Sequence, residues 1–348
     1  MVHMSGSNKT KELKQMLHLF RIRRNDSKYR DMVINGYNNS DYVKIEHNGD
    51  MQFGRIVYEI SEYGRNVGFF AEVLYLLIEL YYADERGFLP YVSWGGNYLY
   101  YDSDNLLEDN AFAYYFSPVS EITKNEFDNA AFYIKSDVCH IQAVQNELNT
   151  HGYIVSDEYL DGLAKMFQKY IKYNSDTDNY LTEEFNRLIG TRKALAVHYR
   201  GTDFKRGYNN HPTYVCIEDA VSKVSEIFEK GGYEIVFLAT DEQSAIDVFS
   251  EALGNKLVYY KDSFRSKGGD ESIAFSSDRR EHHHYLLGLE VLRDEYTLAK
   301  CVGLVCGISN ITLTAQIMKR AWGEEYSDLV ILNSKLNHNN NKFINAKH

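Results

Sequence analysis

Residues 194–203 read ALAVHYRGTD, a short apolar run followed at once by polar and charged side chains. Small and branched apolar residues in an unbroken run, ended by a glycine, are typical of a buried strand. Residues 217–229 then show the apolar spacing of an amphipathic helix, and residues 234–239 read EIVFLA, a second strand. Strand, helix and strand in this order predict a parallel pair joined by a right-handed crossover.

The same alternation extends over most of the chain, with a glycine-rich turn at 64–68 in the first half. The further predicted strands are 56–60, 88–92, 257–260 and 302–306, and the further predicted helices are 69–82, 242–253, 285–300 and one that starts near 311. The sequence therefore predicts an α/β fold whose second half is doubly wound. Ligands of such sheets bind at the carboxyl ends of the strands.

The length of the chain predicts two domains. The 348 residues exceed one ordinary core and fit two domains of roughly 150 to 200 residues. Residues 156–188 are helical and polar, which favours a linker. We therefore predict an α/β domain at 8–172, a Rossmann-like domain at 173–336, and a polar tail at 337–348 with too few apolar residues to pack. A cleft is expected between the two domains.

Composition and charge exclude several classes of protein. Hydrophobic residues make up 44% and charged residues 25%, which is typical of globular chains. The formal charge of -11 argues against a nucleic-acid partner, because phosphate neutralisation needs clustered Lys and Arg. The sequence has no apolar run of about 18 residues, so it predicts no transmembrane segment. Four cysteines without CxxC spacing favour buried free thiols and a cytoplasmic location.

Arg200 follows the first strand of the second half and is the strongest candidate ligand of an anion. Its planar guanidinium matches phosphate oxygens and keeps its charge at any working pH. Asp203 lies three residues later, so a simple Arg200–Asp203 ion pair at the strand end is an equal alternative from spacing alone. His198 lies on the same strand end.

Two further strand ends in the second half also deliver polar side chains. Residues 238–242 read LATDE, where Asp241 either joins the site or caps the next helix. Residues 304–310 read LVCGISN, which brings Ser309 and Asn310 to a helix N-terminus that either binds phosphate or is an ordinary cap. Three such ends in one predicted sheet indicate an anion site.

The ordered motifs of residues 192–320 resemble the α-1,6-fucosyltransferases. These are HYRGTD at 198–203, ATD at 239–241, and the segments 288–294 and 304–310. The family includes the core N-glycan and rhizobial nodulation enzymes and is more loosely related to the protein O-fucosyltransferases. The resemblance implies a GT-B-like fold of two facing Rossmann-like domains. It also implies inverting transfer of fucose from GDP-fucose to a glycan hydroxyl, with no cofactor and no metal.

The resemblance also implies roles for individual residues. His198 would contact guanine or its ribose, and Arg200 would hold the β-phosphate. Asp294 matches a carboxylate that accepts the N1-H and the exocyclic amine of guanine; without the resemblance it would be a solvated helix residue. Ser309 and Asn310 match a Ser-Ser pair near the pyrophosphate, with an amide replacing one hydroxyl.

The turn at 64–68 reads GRNVG and is similar to the glycine-rich turn that opens many fucosyltransferase folds. Its glycines allow the backbone to approach a phosphate closely. On this basis Gly64, Arg65, Asn66 and Gly68 are candidate donor contacts. Alternatively, the two glycines only shape the turn between strand and helix.

The general base is the main departure from the family pattern. An inverting transfer needs a group that takes the proton of the acceptor hydroxyl. The core enzyme has a Glu shortly after the Asp of this motif, whereas residues 204–211 read FKRGYNNH and contain no carboxylate. Asp203, His211 or a residue of the first domain could take the role, and Arg200 with Asp203 is the candidate catalytic pair.

Two other patterns suggest metal binding and are weaker. Residues 282–284 are three adjacent histidines, which rarely converge on one ion. The DxD patterns at 102–104 and 176–178 resemble a metal-binding motif, but we expect both to lie in polar loops without the flanking strand that such a motif needs. We expect no metal site.

Other functions remain open at this stage. The same fold could use another GDP-sugar or a UDP-sugar, or the chain could be an inactive nucleotide- or glycan-binding module. A P-loop kinase is disfavoured because the sequence has no GxxxxGK[ST], and a dehydrogenase because no GxGxxG follows a strand.

Overall fold

The protein is described by a computed structural model. It covers residues 45–64, 67–102, 109–150, 152–268, 272–276, 278, 280–333 and 335–341, together with 9, 10, 13, 14 and 17. The described strands form two sheets, one from each half of the chain.

The first sheet contains the predicted strand, helix and strand. Its strands are β1 (Ile45–Glu46), β2 (Val57–Ser61), β3 (Leu89–Ser93) and β4 (Tyr133–Lys135), in the order β1-β4-β2-β3. Strand β2 pairs in parallel with β3 and β4, whereas β1 runs antiparallel to β4. Helix α1 (Phe69–Glu85) connects β2 to β3, and α2 (Lys124–Asp128) and α3 (Val138–Glu147) lie before and after β4.

The second sheet has five strands, all parallel. The chain first forms helices α4 (Asp157–Tyr170) and α5 (Ser175–Leu188), and then alternates strand and helix as β5 (Ala194–Tyr199), α6 (Ile217–Gly231), β6 (Ile235–Thr240), α7 (Gln243–Leu253), β7 (Leu257–Val258), α8 (His283–Lys300), β8 (Gly303–Cys306), α9 (Asn310–Ala321) and β9 (Asp328–Ile331). The strand order is β7-β6-β5-β8-β9. The order reverses between β5 and β8, and this switch point is where doubly wound sheets bind ligands.

Helices cover both faces of the second sheet, which makes it doubly wound as predicted. Side chains alternate along β5, so Leu195 and Val197 pack in one cluster with α6 and α7. Ala194 and Ala196 face the other way, into a cluster that includes residues of α8 and α9. Burial on both faces explains why these strands are continuous apolar runs.

The helices at 157–188 do not form a free linker. Helix α4 buries Leu160, Leu163 and Phe167, and it packs against α9 and α1. One apolar cluster therefore continues from the first sheet to the second. The fold is mixed α/β with parallel sheets, and the division into two domains at residue 172 stays a prediction.

The polar tail is ordered by hydrogen bonds over part of its length, which corrects the expectation that it does not pack. Residues 335–341, here called the strap, run beside the loop at 204–213. Asn209 N and Asn210 N donate to Asn341 O at 2.7 Å and Asn337 O at 2.9 Å. Apolar content was the wrong criterion, because Asn side chains and backbone amides bond the strap to the loop.

Candidate functional site

A cleft with a cavity volume of about 350 Å³ opens at the switch point. Its walls come from the N-terminus of α1, the ends of β5 and β6, helix α8 and the N-terminus of α9. Predicted site residues that line it are Gly68, His198, Arg200, Asp203, Asp241, Asp294, Ser309 and Asn310. The structure therefore brings side chains from three strand ends and both halves of the chain into one cavity.

Arg200 leaves the end of β5 and is held by acidic side chains while it lines the cleft. Its Nη2 and Nε donate to Asp203 Oδ1 at 2.8 and 3.1 Å, and its Nε lies 3.9 Å from Asp241 Oδ2. The ion pair considered from the sequence is thus present. The side chain is 30% exposed, and Nη1 has no hydrogen-bond partner among the described residues. Arg200 therefore retains donor capacity toward the cleft.

Asp241 and Asp203 hold the loop that carries Arg200. Asp241 accepts from Gly201 N at 3.1 Å and from Thr202 Oγ1 at 2.6 Å. It does not cap α7, whose N-cap is Glu242 without a side-chain cap bond, so that alternative is wrong. Burial raises the pKa of Asp203, but Arg200 outweighs it and leaves the pKa below its ordinary value. Asp203 is therefore ionised and is a weak base.

His198 is buried at the end of β5 and is neutral. Burial, followed by the charge of Arg200, lowers the pKa of the imidazole to about 3. A neutral ring beside a fixed cation can hydrogen-bond a ligand, but it does not take up a proton at neutral pH. This agrees with a binding role for His198 and excludes an acid–base role.

Asp294 lies half-buried on α8 and faces the cleft, so the alternative of a solvated helix residue is wrong. Its Oδ1 is buried and has no hydrogen-bond partner in the part of the chain that the structure describes. Burial raises the pKa of this carboxyl to about 7, although Arg293 and Arg265 oppose the shift. A buried carboxylate oxygen without a donor is costly, and a ligand that supplies N–H groups removes that cost.

The neighbouring Arg293 fixes α8 in place, a feature that the sequence did not reveal. It is 1% exposed and donates to both carboxylate oxygens of Asp262 at 3.0 Å. It also donates to Glu184 on α5 at 3.0 Å and to Ser263 at 3.0 Å. This network around the buried Arg293 guanidinium sets the position from which Asp294 faces the cleft.

The N-terminus of α9 forms another part of the cleft wall. Ser309 Oγ accepts from Thr312 N at 3.4 Å, and Thr312 Oγ1 accepts from Ser309 N at 3.0 Å, a reciprocal capping box. The Ser309 hydroxyl is therefore engaged within the helix. Asn310 and Ile311 precede the first helical hydrogen bond, which Leu313 N donates to Ser309 O, so their amides have no acceptor within the helix and are available to a ligand of the cleft.

The glycine-rich turn leads into α1 at the other side of the cleft. Gly68 is the N-cap of α1 without a side-chain cap bond, and it lines the cavity with residues 67 and 69–71. Gly64 has a φ of +149°, a conformation that favours glycine. Arg65 and Asn66 lie outside the described residues. Their predicted contacts, and that of Gly64, stay predictions.

Several cleft residues were not predicted from the sequence. Tyr75, Tyr100 and Tyr153 form an aromatic wall, and Phe264 and Glu290 line the side near Asp294. The abundance of tyrosine, 29 residues, was the only signal for such a surface. These residues come from distant segments of the chain, and no local sequence pattern predicts that they meet in one cleft.

The patterns considered for metal do not form a cluster. Among the described residues no group of three or more His, Cys, Asp or Glu could hold an ion. His283 Nε2 lies 3.2 Å from Ser276 Oγ, while His282 Nδ1 lies 3.8 Å from Asp102 Oδ2. Asp176 and Asp178 lie in the first turn of α5, which corrects their placement in a loop.

Residues 103 and 104 of the other DxD pattern are outside the described residues. The four cysteines are free, and three of them are buried. None of the helices in the described ranges combines the length and apolarity needed to cross a membrane.

Comparison with known proteins gives structural likeness only. No family model and no curated protein matches the chain. NodZ α-1,6-fucosyltransferase soaked with GDP-fucose is 17% identical with a TM-score of 0.43, covering 76% of this chain and 92% of that chain. Fucosyltransferase NodZ from Bradyrhizobium is 16% identical with a TM-score of 0.43, covering 75% of this chain and 91% of that chain.

POFUT1 in complex with GDP is 10% identical with a TM-score of 0.47, covering 80% of this chain and 99% of that chain. At this level of identity and overlap, the likeness concerns the α/β fold. The function has to be inferred from the chemistry of the cleft.

Proposed function

We propose that this protein is a glycosyltransferase that transfers fucose from GDP-fucose to a glycan hydroxyl, with inversion and without a metal. One observation supports it above the others. The guanidinium of Arg200 and the carboxylate of Asp294, whose Oδ1 has no partner among the described residues, face the same cleft at the switch point of a doubly wound sheet. A guanosine diphosphate presents complementary groups, an anionic diphosphate at one end and paired N–H donors at the other.

The diphosphate of GDP would bind at the end of the cleft near Arg200. Arg200 offers a fixed cation with unused donor capacity, and the amides of Asn310 and Ile311 begin a helix whose dipole favours an anion. These donors also stabilise the charge that develops on the diphosphate as the sugar leaves. A metal is not required for this part of the chemistry.

The guanine of GDP would bind at the end of the cleft near Asp294. Guanine presents N1-H and the exocyclic N2 amine side by side, so one carboxylate can accept both. Adenine presents no such pair, and uracil offers a single N–H between two carbonyls. An unpartnered carboxylate therefore selects guanine, and each charge-assisted bond contributes about 1.5 to 3 kcal/mol.

The sugar is assigned from the motif order at 192–320, which resembles the fucosyltransferases. Another GDP-sugar would fit the same nucleotide contacts. The inactive-module alternative is favoured by the missing Glu in the segment at 204–211. Release of GDP from GDP-fucose separates an enzyme from a module, because a module binds the donor without breaking it.

A thermal-shift panel with GDP, UDP and ADP tests the proposal. GDP at a hundredfold excess over its Kd should stabilise the wild type by about 2.7 kcal/mol, and the other nucleotides by much less. Arg200→Lys keeps the charge beside Asp203 but loses the planar fork, and should weaken GDP binding by about tenfold or more. Arg320→Lys is the matched control, because Arg320 is equally exposed and pairs with Asp157 and Asp161 on α4, away from the cleft.

Equal shifts with all three nucleotides would show that Asp294 does not select the base. Full GDP affinity in Arg200→Lys would remove Arg200 from the site. Either result would contradict the proposed arrangement of the donor.

A further inference from the structure

We propose that the imidazole of His211 is the general base that takes the proton of the acceptor hydroxyl, and that the strap at 335–341 holds it in the cleft. The inference rests on the proposed function and assigns the role that the sequence left open. It follows from which proton acceptors the cleft contains and from how the strap is bonded.

Three other titratable groups near Arg200 do not suit the role of the base. Asp203 pairs with Arg200, and Asp241 accepts from Gly201 N and Thr202 Oγ1. His198 is 8% exposed, and its pKa is lowered to about 3 by burial and by Arg200. None of the three is both available and basic at neutral pH.

The remaining titratable groups of the cleft are also unsuitable. Glu290 accepts from Phe264 N at 3.0 Å and from Arg280 Nη1. Asp294 is assigned to the nucleotide base. Burial raises the pKa of Tyr75 to about 12 and also raises the pKa values of Tyr100 and Tyr153, so these phenols stay protonated.

His211 lines the cleft on the side of Arg200 and the aromatic wall. Its ring lies 5.6 Å from that of Tyr153, 6.3 Å from that of Phe204 and 5.7 Å from that of Tyr208. Burial and the charge of Arg200 lower the pKa of the imidazole, and Asp203 raises it. The net result is a pKa below the ordinary value of 6.5. The imidazole is therefore neutral at pH 7 and able to accept a proton.

The strap fixes the backbone on both sides of His211. Asn337 N donates to His211 O at 2.8 Å, and Thr213 N donates to Lys335 O at 2.9 Å. Asn339 Nδ2 donates to Gly207 O at 2.8 Å, and Asn341 N donates to Asn339 Oδ1 at 2.8 Å. A loop at 204–213 that lacks regular structure around His211 is thereby held in one conformation.

The chemical step balances with His211 as the only proton acceptor. The acceptor oxygen forms a bond to the anomeric carbon while its proton passes to the imidazole. The bond between that carbon and the diphosphate oxygen breaks, and its electron pair stays on GDP. The products are the glycoside, GDP and an imidazolium, which returns its proton to solvent.

Release of GDP from GDP-fucose, with water as acceptor, tests the role of His211 without a known glycan. His211→Gln should lower kcat by about a hundredfold, the lower range for general base catalysis, and leave the Kd for GDP within about twofold. At saturating donor, the wild-type kcat should fall at acidic pH, once the imidazole becomes protonated. His211→Gln should lose this acidic limb, and added imidazole should restore part of the rate.

The control is His47→Gln, since His47 is an exposed histidine that bonds Ala131 O in the first half. An unchanged kcat in His211→Gln overturns the inference and leaves the proposed function intact. A wild type that binds GDP but releases none from GDP-fucose overturns both. Equal losses of kcat and of GDP affinity would make His211 a structural residue.

A second variant tests the strap. Asn339→Ala removes two side-chain hydrogen bonds, and Asn340→Ala is the control because Asn340 makes no hydrogen bond to the described part of the loop. Since small displacements of a catalytic group reduce rate strongly, we expect about a tenfold lower kcat with an unchanged KM and an unchanged acidic limb. Equal rates in the two variants would overturn the positioning role.

Discussion

Asp294 combines a cost to the free protein with a proposed role in ligand binding. Its buried Oδ1 has no donor among the described residues, and burial, opposed by Arg293 and Arg265, raises its pKa to about 7. Native protein therefore binds more protons at Asp294 than unfolded protein does between about pH 4 and pH 7. The stabilisation that protonated Asp294 gives the folded protein is therefore lost as the pH rises through that window, and the loss is complete above it.

Asp294→Asn should therefore stabilise the unliganded protein and weaken GDP binding. At pH 8 we expect a gain of about 1 to 3 kcal/mol in the free energy of unfolding, which disappears near pH 4. GDP affinity should fall by about 10- to 100-fold, because a carboxylate acceptor of two donors is replaced by an amide. Denaturant unfolding at both pH values and calorimetric titration with GDP measure the two effects.

Glu295→Gln is the matched control for this prediction. Glu295 is also on α8, is fully buried and has no partner for either oxygen within the described ranges, but it does not line the cleft. Its substitution should leave GDP affinity within about twofold. Loss of GDP binding in Glu295→Gln and not in Asp294→Asn would place the nucleotide base elsewhere.

The affinity of the wild type for GDP should depend on pH in a defined direction. Guanine N–H groups bond the ionised carboxylate, so binding below about pH 7 must first remove a proton from Asp294. We expect the Kd for GDP to rise by up to tenfold per pH unit below 7 and to be flat above it. A Kd that is constant between pH 5.5 and 8 would mean that Asp294 does not bind the base.

Individual residues differ in how well the sequence predicts them. Arg200, His198 and Asp294 all line the cleft. The strand-end position of Arg200 and His198 follows from local periodicity, whereas Asp294 was singled out only by the resemblance. The partner of each side chain does not follow from periodicity. Asp241 bonds a loop 40 residues away, so its role depends on a tertiary contact, and Asp203 forms the ion pair with Arg200 that spacing offered as one of two alternatives.

At the level of elements, a substitution at the N-cap of α9 can distinguish two roles of Ser309, which are capping the helix and contacting the donor. Ser309 is 3% exposed, and its hydroxyl closes the capping box with Thr312. Ser309→Ala should lower the free energy of unfolding by about 1 kcal/mol, as loss of an N-cap does, with GDP affinity reduced by less than about threefold. Chemical denaturation and GDP titration of the same variant measure both quantities.

The contrary outcome for Ser309→Ala is a large loss of GDP affinity with unchanged stability. It would mean that the hydroxyl turns toward the diphosphate when the donor binds. Asn310→Ala, at the next position, offers the comparison because its side chain is not part of the cap.

Among the elements, long apolar runs were predictable, whereas strands β1, β4 and β9 were not predicted. Strands β5, β6 and β8 are buried throughout, so their sequences are continuous apolar stretches. Strand β9 is an edge strand that alternates half-buried and exposed residues, and β1 and β4 have two and three residues. Such strands form because neighbouring strands pair with them, and their own sequences contain little signal.

At the scale of the whole molecule, a close contact joins α8 to the first half of the chain. Tyr115 Oη donates to Tyr285 O at 2.9 Å, and its ring stacks on Tyr285 with centroids 5.6 Å apart. Gly288, one turn further along α8, lies against Tyr115 and Phe69, and a Cβ at this position would overlap Tyr115 Oη. Phe69 begins α1, so this contact sets the distance between two walls of the cleft.

Gly288→Ala should therefore destabilise the protein and weaken the site together. Alanine favours a helix by about 1 kcal/mol over glycine, but overpacking a buried contact costs about 1 to 3 kcal/mol. Tyr115 is fully buried and hydrogen-bonded, so it cannot swing aside, and the clash should outweigh the helix propensity. We expect a net loss of stability and a GDP affinity several-fold lower, measured by denaturation and titration. Gly54→Ala, where an added Cβ meets nothing within 4 Å, is the control. If Gly288→Ala were as stable as this control and bound GDP normally, α8 and α1 would not be coupled through Tyr115.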